Sequence, residues 1–157
     1  MWFLRNGKAR PMTAPGTITV RLTRRFDAAP ERVFDAWLDP DKAGRFLFAT
    51  AAGTMVRAEI DARVGGAFNF TERRDGVDAE HIGEYLEIDR PRRLVFTFHT
   101  ERGSTQLSRV AIDIVPRGSG CELTLSHEMD AKWAEYKDRT QAGWTMILER
   151  LGRVLAP

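Results

Sequence analysis

The sequence has few of the features that mark secreted or membrane proteins. Cys121 is its single cysteine, so no internal disulfide can form, which predicts a reducing cytoplasm. No apolar run approaches the roughly 18 residues that a membrane span requires. The apolar stretch at the start, Met1–Leu4, is too short for a signal peptide. These absences predict a cytoplasmic protein without a membrane span.

Excess charge and paired metal ligands are also missing. The formal net charge is only +2, and no basic run is interleaved with aromatic residues, so we expect no nucleic-acid partner. His81, His99, His127 and Cys121 lack the short paired spacing of metal ligands. No glycine loop followed by lysine and serine or threonine is present to hold phosphate. The sequence therefore predicts neither a metal site nor a cofactor.

The length of the chain suits one domain with a flexible tail. A chain of 157 residues can bury a sizeable single core. Residues 1–16 contain Gly7, Pro11, Pro15 and Gly16 and show no sustained period, so they predict a flexible N-terminal tail, with Met12 as an alternative start. Residues 17–157 form the predicted domain.

The domain begins with one strand and two short helices. Ile18, Val20 and Leu22 alternate with polar residues, as in a half-buried strand. Pro30 suits the first turn of a helix, which Asp39-Pro40 ends and restarts through Phe46.

The rest of the chain predicts a curved antiparallel sheet around a long helix. Six strand candidates with period two follow: 55–61, 67–74, 79–89, 93–101, 106–116 and 121–129. Short turns such as Gly65-Gly66, Asp75-Gly76 and Gly103-Ser104 make neighbours antiparallel. After Asp130, a candidate cap, a helical stripe runs along Trp133, Tyr136, Thr140, Trp144, Ile147, Leu151 and Val154. The fold class is α+β, with about seven strands wrapped around this helix.

Several segments resemble a known family. They are RRFDAAPERVFDAWLDPDK (24–42), DARVGGAFNF (61–70), GEYLEIDRPRRLVFTF (83–98), CELTLSHEM (121–129) and GWTMILERL (143–151). In this order they resemble the helix-grip superfamily, also called START-like or SRPBCC. The branch they look most like is the AHSA type, homologues of the C-terminal domain of the activator of the heat-shock-protein-90 ATPase. The resemblance implies a cavity between the sheet and the last helix.

The chain departs from this family in two respects. Members often have a tryptophan soon after the Asp-Pro pair that closes the first helix, whereas here the segment is Gly44-Arg-Phe-Leu-Phe48. Full activators also have a separate N-terminal domain, for which this sequence has no room. We therefore do not expect chaperone activation.

Strand alternation predicts which side chains face the last helix. The inward set is Phe68, Phe70, Leu94, Phe96, Phe98, Val110, Ile112, Ile114, Leu123, Leu125 and Met129. A filled core and a ligand pocket both fit this set. The candidate ligand-binding residues are Trp37, Phe68, Phe70, Tyr85, Phe96, Phe98, Val110, His127, Trp144 and Leu148.

Polar residues on the inward face separate the functional alternatives. His127 shares the alternation of Leu125, so it should point inward. In strand 79–89, His81 and Tyr85 compete with Ile82, Leu86 and Ile88 for the inward face, so only one set can occupy it without a bulge. Arg24 either reaches the mouth of the cavity or lies on the surface.

The favoured function is binding of a small apolar or amphipathic molecule by a monomer or homodimer. The alternatives are a cyclase- or hydrolase-like enzyme using His127, Tyr85 or Arg24, and a chaperone-associated interaction protein. No residues in the sequence set a nucleophile against a base, so binding is favoured over catalysis.

Overall fold

The computed structural model describes residues 4–5, 8–9, 16–100 and 108–156. The strands are β1 (Leu4–Arg5), β2 (Lys8–Ala9), β3 (Thr17–Phe26), β4 (Thr54–Ile60), β5 (Ala67–Arg74), β6 (Val77–Asp89), β7 (Arg93–Thr97), β8 (Ser108–Arg117) and β9 (Gly120–Asp130). The α-helices are α1 (Pro30–Leu38), α2 (Pro40–Phe46) and α3 (Lys137–Leu155). A 3₁₀ helix, Ala131–Tyr136, connects β9 to α3. The protein is α+β, as predicted.

Seven strands form one antiparallel sheet in the order β3-β9-β8-β7-β6-β5-β4. From β4 to β9, each strand pairs with the next along the chain, because short turns allow only antiparallel neighbours. Helices α1 and α2 carry the chain from β3 to the opposite edge of the sheet. The predicted helix-grip architecture is confirmed.

Helix α3 covers one face of this sheet. Its buried side chains are Trp144, Ile147, Leu148, Leu151 and Leu155. They share one hydrophobic core with the inward side chains of β5 to β9 and with α1 and α2. Among the predicted inward set, Phe98 alone is half-buried and the others are buried. The alternation of the sequence therefore identified the covered face correctly.

The two short helices form where the sequence places them. Pro30 occupies the first turn of α1, where it sacrifices no hydrogen bond, and Phe34 and Trp37 are buried. Asp39 accepts from the backbone N–H of Asp41 at 2.9 Å and so caps α2.

The final helix begins later than predicted. Trp133 has φ −95° and ψ 15°, outside the helical region, and α3 begins only at Lys137. Asp130 caps the preceding 3₁₀ helix instead, accepting from the Lys132 N–H at 3.0 Å. Because the axis changes there, Tyr136 is 37% exposed and the buried stripe starts at Trp144.

Both competing sets on β6 supply inward side chains, because the strand has a bulge. His81 and Tyr85 are buried, and Tyr85 pairs with Phe96. The register then shifts by one residue, so that Ile88 pairs with Leu94 and packs against the core. An extra residue at Leu86 reverses the alternation.

The turn at Gly65-Gly66 needs both glycines, for different reasons. Gly65 has φ 85°, a left-handed conformation that favours glycine. At Gly66 a Cβ atom would lie 2.1 Å from the carbonyl oxygen of Asp61, so a side chain does not fit. The N–H of Gly65 and the carbonyl of Gly66 bond to the backbone of Tyr85, each at 2.9 Å. The loop between β4 and β5 is thus fixed to β6.

Valine at either glycine should destabilise the domain. We expect Gly65→Val to lower the free energy of unfolding by about 1–3 kcal/mol through backbone strain. Gly66→Val should cost at least as much, because the Asp61 carbonyl must move. Gly143→Ala is the control, since a Cβ there meets nothing within 4 Å. Denaturant unfolding measures all three, and wild-type midpoints for both valine variants would contradict the tight turn.

Part of the predicted tail lies outside the described residues. Within it, β1 and β2 pair with each other. The flexible tail over 1–16 and the domain over 17–157 stay predictions, and the expected turn at Gly103-Ser104 lies outside the described residues. No helix in the described ranges has both the length and the hydropathy needed to cross a bilayer.

Candidate functional site

Nine aromatic side chains form one cluster between the sheet and α3. We call Phe48, Phe68, Phe70, His81, Tyr85, Phe96, Phe98, His127 and Trp144 the aromatic cluster, because every ring contacts at least one other member. Phe48 is its centre, stacked at 4.5 Å on His81 and at 4.6 Å on Phe98. The rest of the core is buried and combines the rings of Phe34, Trp37 and Phe46 with aliphatic side chains, which include Ile112, Ile114, Leu123, Leu125 and Leu151.

The structure brings together most of the predicted ligand-binding residues. Those in the aromatic cluster are Phe68, Phe70, Tyr85, Phe96, Phe98, His127 and Trp144. Val110 pairs with both Phe96 and His127 across neighbouring strands. Trp37 is buried on α1 and meets the ring of Phe46 edge-on at 5.1 Å, apart from the cluster. Leu148 is buried on α3 in the same core. Their ligand-binding role stays a prediction.

Three polar groups form a hydrogen-bonded relay beside the cluster. The indole Nε1–H of Trp144 donates to Nδ1 of His127 at 2.9 Å. Because Nδ1 accepts, the proton of the neutral imidazole is on Nε2. Nε2 lies 2.6 Å from the hydroxyl oxygen of Ser108, so His127 donates and Ser108 accepts. The relay fixes the tautomer of His127.

Burial keeps this imidazole neutral. His127 is 4% exposed, and burial lowers its pKa to about 4. Protonation would also place a hydrogen on Nδ1, facing the indole N–H of Trp144. The only free lone pair of the ring is therefore already used, so His127 cannot act as a general base toward Ser108.

His81 is the second buried imidazole of the cluster. Its Nδ1–H donates to the carbonyl oxygen of Phe70 at 3.2 Å. Its ring lies nearly parallel to that of Phe48, at an angle of 5°. Burial is the main cause that lowers the pKa of His81. His81 thus contributes a flat, neutral ring.

Phe48, the central ring, was not among the predicted ligand-binding residues. It lies between α2 and β4 in a left-handed conformation, with φ 61°, which is uncommon for phenylalanine. No periodic pattern covers residues 47–53, so alternation gives no signal there. The sequence signal that could have indicated a buried Phe48 was the apolar run Phe46-Leu-Phe48 after a short helix.

A buried carboxylate holds the segment of Phe48 in place. Glu72 is 1% exposed and accepts from the Thr50 N–H at 2.7 Å, the Thr50 hydroxyl at 2.8 Å and Arg74 Nε at 2.5 Å. Arg74 also donates to the carbonyl oxygen of Phe48 at 3.1 Å. Burial raises the pKa of Glu72, but the bonds from Arg74 and Thr50 outweigh it and lower the pKa overall. This inward carboxylate was readable from the alternation of β5 and was also missed.

The other candidate polar residues are structural or solvated. Arg24 pairs with Glu149 of α3 at 3.7 Å, and its side chain is 38% exposed, so it is a surface residue. Burial raises the pKa of the Tyr85 hydroxyl, which opposes a role as a base. Within the described ranges, no group of histidine, cysteine and acidic residues could hold a metal ion.

A groove of about 470 Å³ lies outside this interior. Its lining includes Glu59, Asn69, Ile82 and His99, which face away from the aromatic cluster in register across β4, β5, β6 and the segment after β7, and it also includes Phe68 of the cluster. Its walls mix charges of both signs, Arg57 with Glu59 and Glu84. Its lining therefore mixes charged and apolar groups, rather than being predominantly apolar with a few convergent polar groups as in a typical small-molecule site.

Residues 27–156 match the family described as "Activator of Hsp90 ATPase homolog 1-like protein". The chain belongs to this family. The AHSA1-like domain resembles protein CV1439 from Chromobacterium violaceum, with 27% identity and a TM-score of 0.75 over 92% of this chain and 99% of that one. It also resembles CalU16 from Micromonospora echinospora, with 25% identity and a TM-score of 0.68 over 92% of this chain and 82% of that one.

A third structure supports the fold of the AHSA1-like domain. It is the AHSA1-like protein from Aeromonas hydrophila, with 21% identity and a TM-score of 0.74 over 88% of this chain and 92% of that one. No curated protein matches the sequence.

Proposed function

We propose that this AHSA1-like domain binds a small apolar or amphipathic molecule among the rings of the aromatic cluster, between the sheet and α3. One observation carries the proposal: the rings of the aromatic cluster lie together and reach solvent at Phe98, whereas the aliphatic side chains such as Ile112, Leu123 and Leu125 are fully buried. Phe98 and Ser108 are both half-buried and lie side by side, joined by a 3.1 Å bond from the Phe98 N–H to the Ser108 carbonyl. They form the entrance in this proposal.

Phe48 is the ring best placed to move aside for a ligand. It belongs to neither a helix nor a strand, and it covers His81 and Phe98 directly. Rotation of this one side chain would expose two flat rings and Trp144. Aromatic faces of this kind bind apolar ligands by stacking and edge contacts.

Catalysis is less well supported than binding. A hydrolase-like mechanism needs a base beside the nucleophile. In this structure the lone pair of His127 accepts from Trp144, and its Nε2–H already donates to Ser108. The hydroxyl of Ser108 therefore has no base within the relay.

Association with a chaperone through the outer surface is also less well supported. The exposed large apolar side chains of the described residues are Val56, Val64, Val77, Val115, Tyr136 and Met146. They lie on different strands, loops and helices, whereas docking surfaces are usually contiguous apolar patches. A cytoplasmic location and a monomeric or homodimeric state stay predictions.

A neutral apolar probe tests the binding site. We expect N-phenyl-1-naphthylamine to bind saturably and to change tryptophan emission. Trp144→Ala should remove most of this change while the protein stays folded, because a ligand space tolerates the truncation. Trp133→Phe is the control and should retain the change, since Trp133 precedes α3 and lies outside the cluster. In a filled core, Trp144→Ala would cost about 3–5 kcal/mol, and an absence of probe binding would overturn the proposal.

A further inference from the structure

The relay has a direction, and the direction determines what its last group can do. Each group in it uses its hydrogen to donate to the next: Trp144 to His127, and His127 to Ser108. The hydroxyl oxygen of Ser108 is occupied as an acceptor, whereas its own hydrogen is not used in the relay. In the described part of the chain, His127 is the only side chain that bonds to this hydroxyl. Ser108 therefore presents a donor.

The position of this donor connects it to the proposed ligand site. Ser108 has the alternation of Val110 and Ile112, so its side chain is on the face toward α3. It is half-buried, next to Phe98 at the edge of the aromatic cluster. A molecule inserted between the rings would have its outer end beside this hydroxyl.

We infer that Ser108 selects ligands whose polar end is a neutral hydrogen-bond acceptor, such as the carbonyl oxygen of an aromatic ketone. This inference rests on the proposed function, since it concerns the same site. It predicts the class of ligand that the domain binds: a flat apolar body with one carbonyl, rather than a pure hydrocarbon or a carboxylate.

The surroundings favour a neutral acceptor over an anion. His127 carries no charge at neutral pH, because burial lowers its pKa to about 4. Arg74, which lies beside Phe48, is neutralised by the carboxylate of Glu72. A carboxylate entering the cluster would lose its hydration and gain only one hydroxyl donor in return. A carbonyl loses less and gains the same bond.

Three naphthalenes of similar shape test the inference by calorimetry. 2-Ethylnaphthalene has no acceptor, 2-acetylnaphthalene has a neutral carbonyl, and 2-naphthoate has a carboxylate. We expect Ser108→Ala to weaken 2-acetylnaphthalene about three- to tenfold, the effect of one neutral hydrogen bond. The same variant should leave 2-ethylnaphthalene unchanged, and 2-naphthoate should bind most weakly to the wild type.

Two further measurements separate recognition from a merely structural role. The carbonyl stretch of bound 2-acetylnaphthalene should lie at lower frequency in the wild type than in Ser108→Ala, because the hydroxyl donates to it. Ser108→Thr retains the hydroxyl and should restore both the affinity and the frequency.

The outcomes distinguish this inference from the proposed function. Failure of all three compounds to bind would overturn both. Binding of 2-ethylnaphthalene, with equal effects of Ser108→Ala on both neutral compounds, would overturn the role of Ser108 and leave the binding site standing. Tightest binding of 2-naphthoate would overturn the preference for a neutral acceptor.

Discussion

Lowering the pH from 7.5 to 4 is expected to destabilise the domain by about 3 kcal/mol through His127 alone. Burial lowers the pKa of His127 from 6.5 to about 4. Below pH 6.5 His127 is therefore protonated in the unfolded chain, whereas in the folded protein it stays neutral until the pH approaches 4. The contribution of neutral, buried His127 to the free energy of unfolding is fully present above pH 6.5 and is lost as the pH falls toward 4. His81 contributes in the same direction, since burial lowers its pKa as well.

Glutamine variants test whether His127 causes this loss of stability at low pH. His127→Gln can still accept from Trp144 but does not titrate, so its stability should depend less on pH between 6.5 and 4. His99→Gln is the matched control for the substitution itself, since it leaves the relay of Trp144, His127 and Ser108 intact. Free energies of unfolding from urea titrations at several pH values measure the difference. An NMR titration that gives His127 a pKa near 6.5 would contradict the buried relay.

Glu72→Ala is expected to lower the free energy of unfolding by about 2–3 kcal/mol, because it removes charge-assisted hydrogen bonds to a buried carboxylate, while its partner Arg74 is partly exposed. It would leave Arg74 without its carboxylate and the Thr50 N–H without an acceptor. The segment from Phe48 to Gly53 should then lose its fixed position against β5. Hydrogen exchange at the Thr50 amide should become faster, in addition to the global loss seen by denaturant.

A surface acid on the next strand provides the comparison. Glu84 is exposed on β6, so Glu84→Ala should change stability by less than about 0.5 kcal/mol. Glu72→Gln keeps an oxygen for Thr50 and should lie between the two. Equal stabilities for Glu72→Ala and Glu84→Ala would show that Glu72 does not hold the segment.

Periodic parts of the chain were predictable because burial imposes a period on them. Strand β5 begins and ends at the predicted residues, 67 and 74, and its rings face the core as alternation requires. The bounds of α1 and α2 followed from the proline at the start of each helix and from the cap at Asp39. Local chemistry and tertiary burial agree in these elements, so the sequence alone was sufficient.

The candidate site was only partly predictable, because its decisive residues depend on contacts between distant segments. Phe48 is central through its stacking on His81 and Phe98, which are distant in the sequence, and the apolar run around Phe48 does not indicate these contacts. Ser108 lay within a predicted strand, but its partner His127 is on the next strand, and the relay exists only once their register is known. The late start of α3 likewise depends on the 3₁₀ helix before it and on the non-helical backbone at Trp133 and Tyr136, which propensity does not predict.

The extra residue in β6 also affects how this chain should be compared with its relatives. Before Leu86 the odd-numbered side chains of the strand face α3, and after it the even-numbered ones do. An alignment drawn without a gap against a relative that has no bulge would match Glu87 to an interior position. A one-residue gap at Leu86 would instead align equivalent side chains on both sides. Odd-numbered positions of β6 therefore face the core before Leu86 and face solvent after it, so substitutions at such positions are not comparable across the bulge.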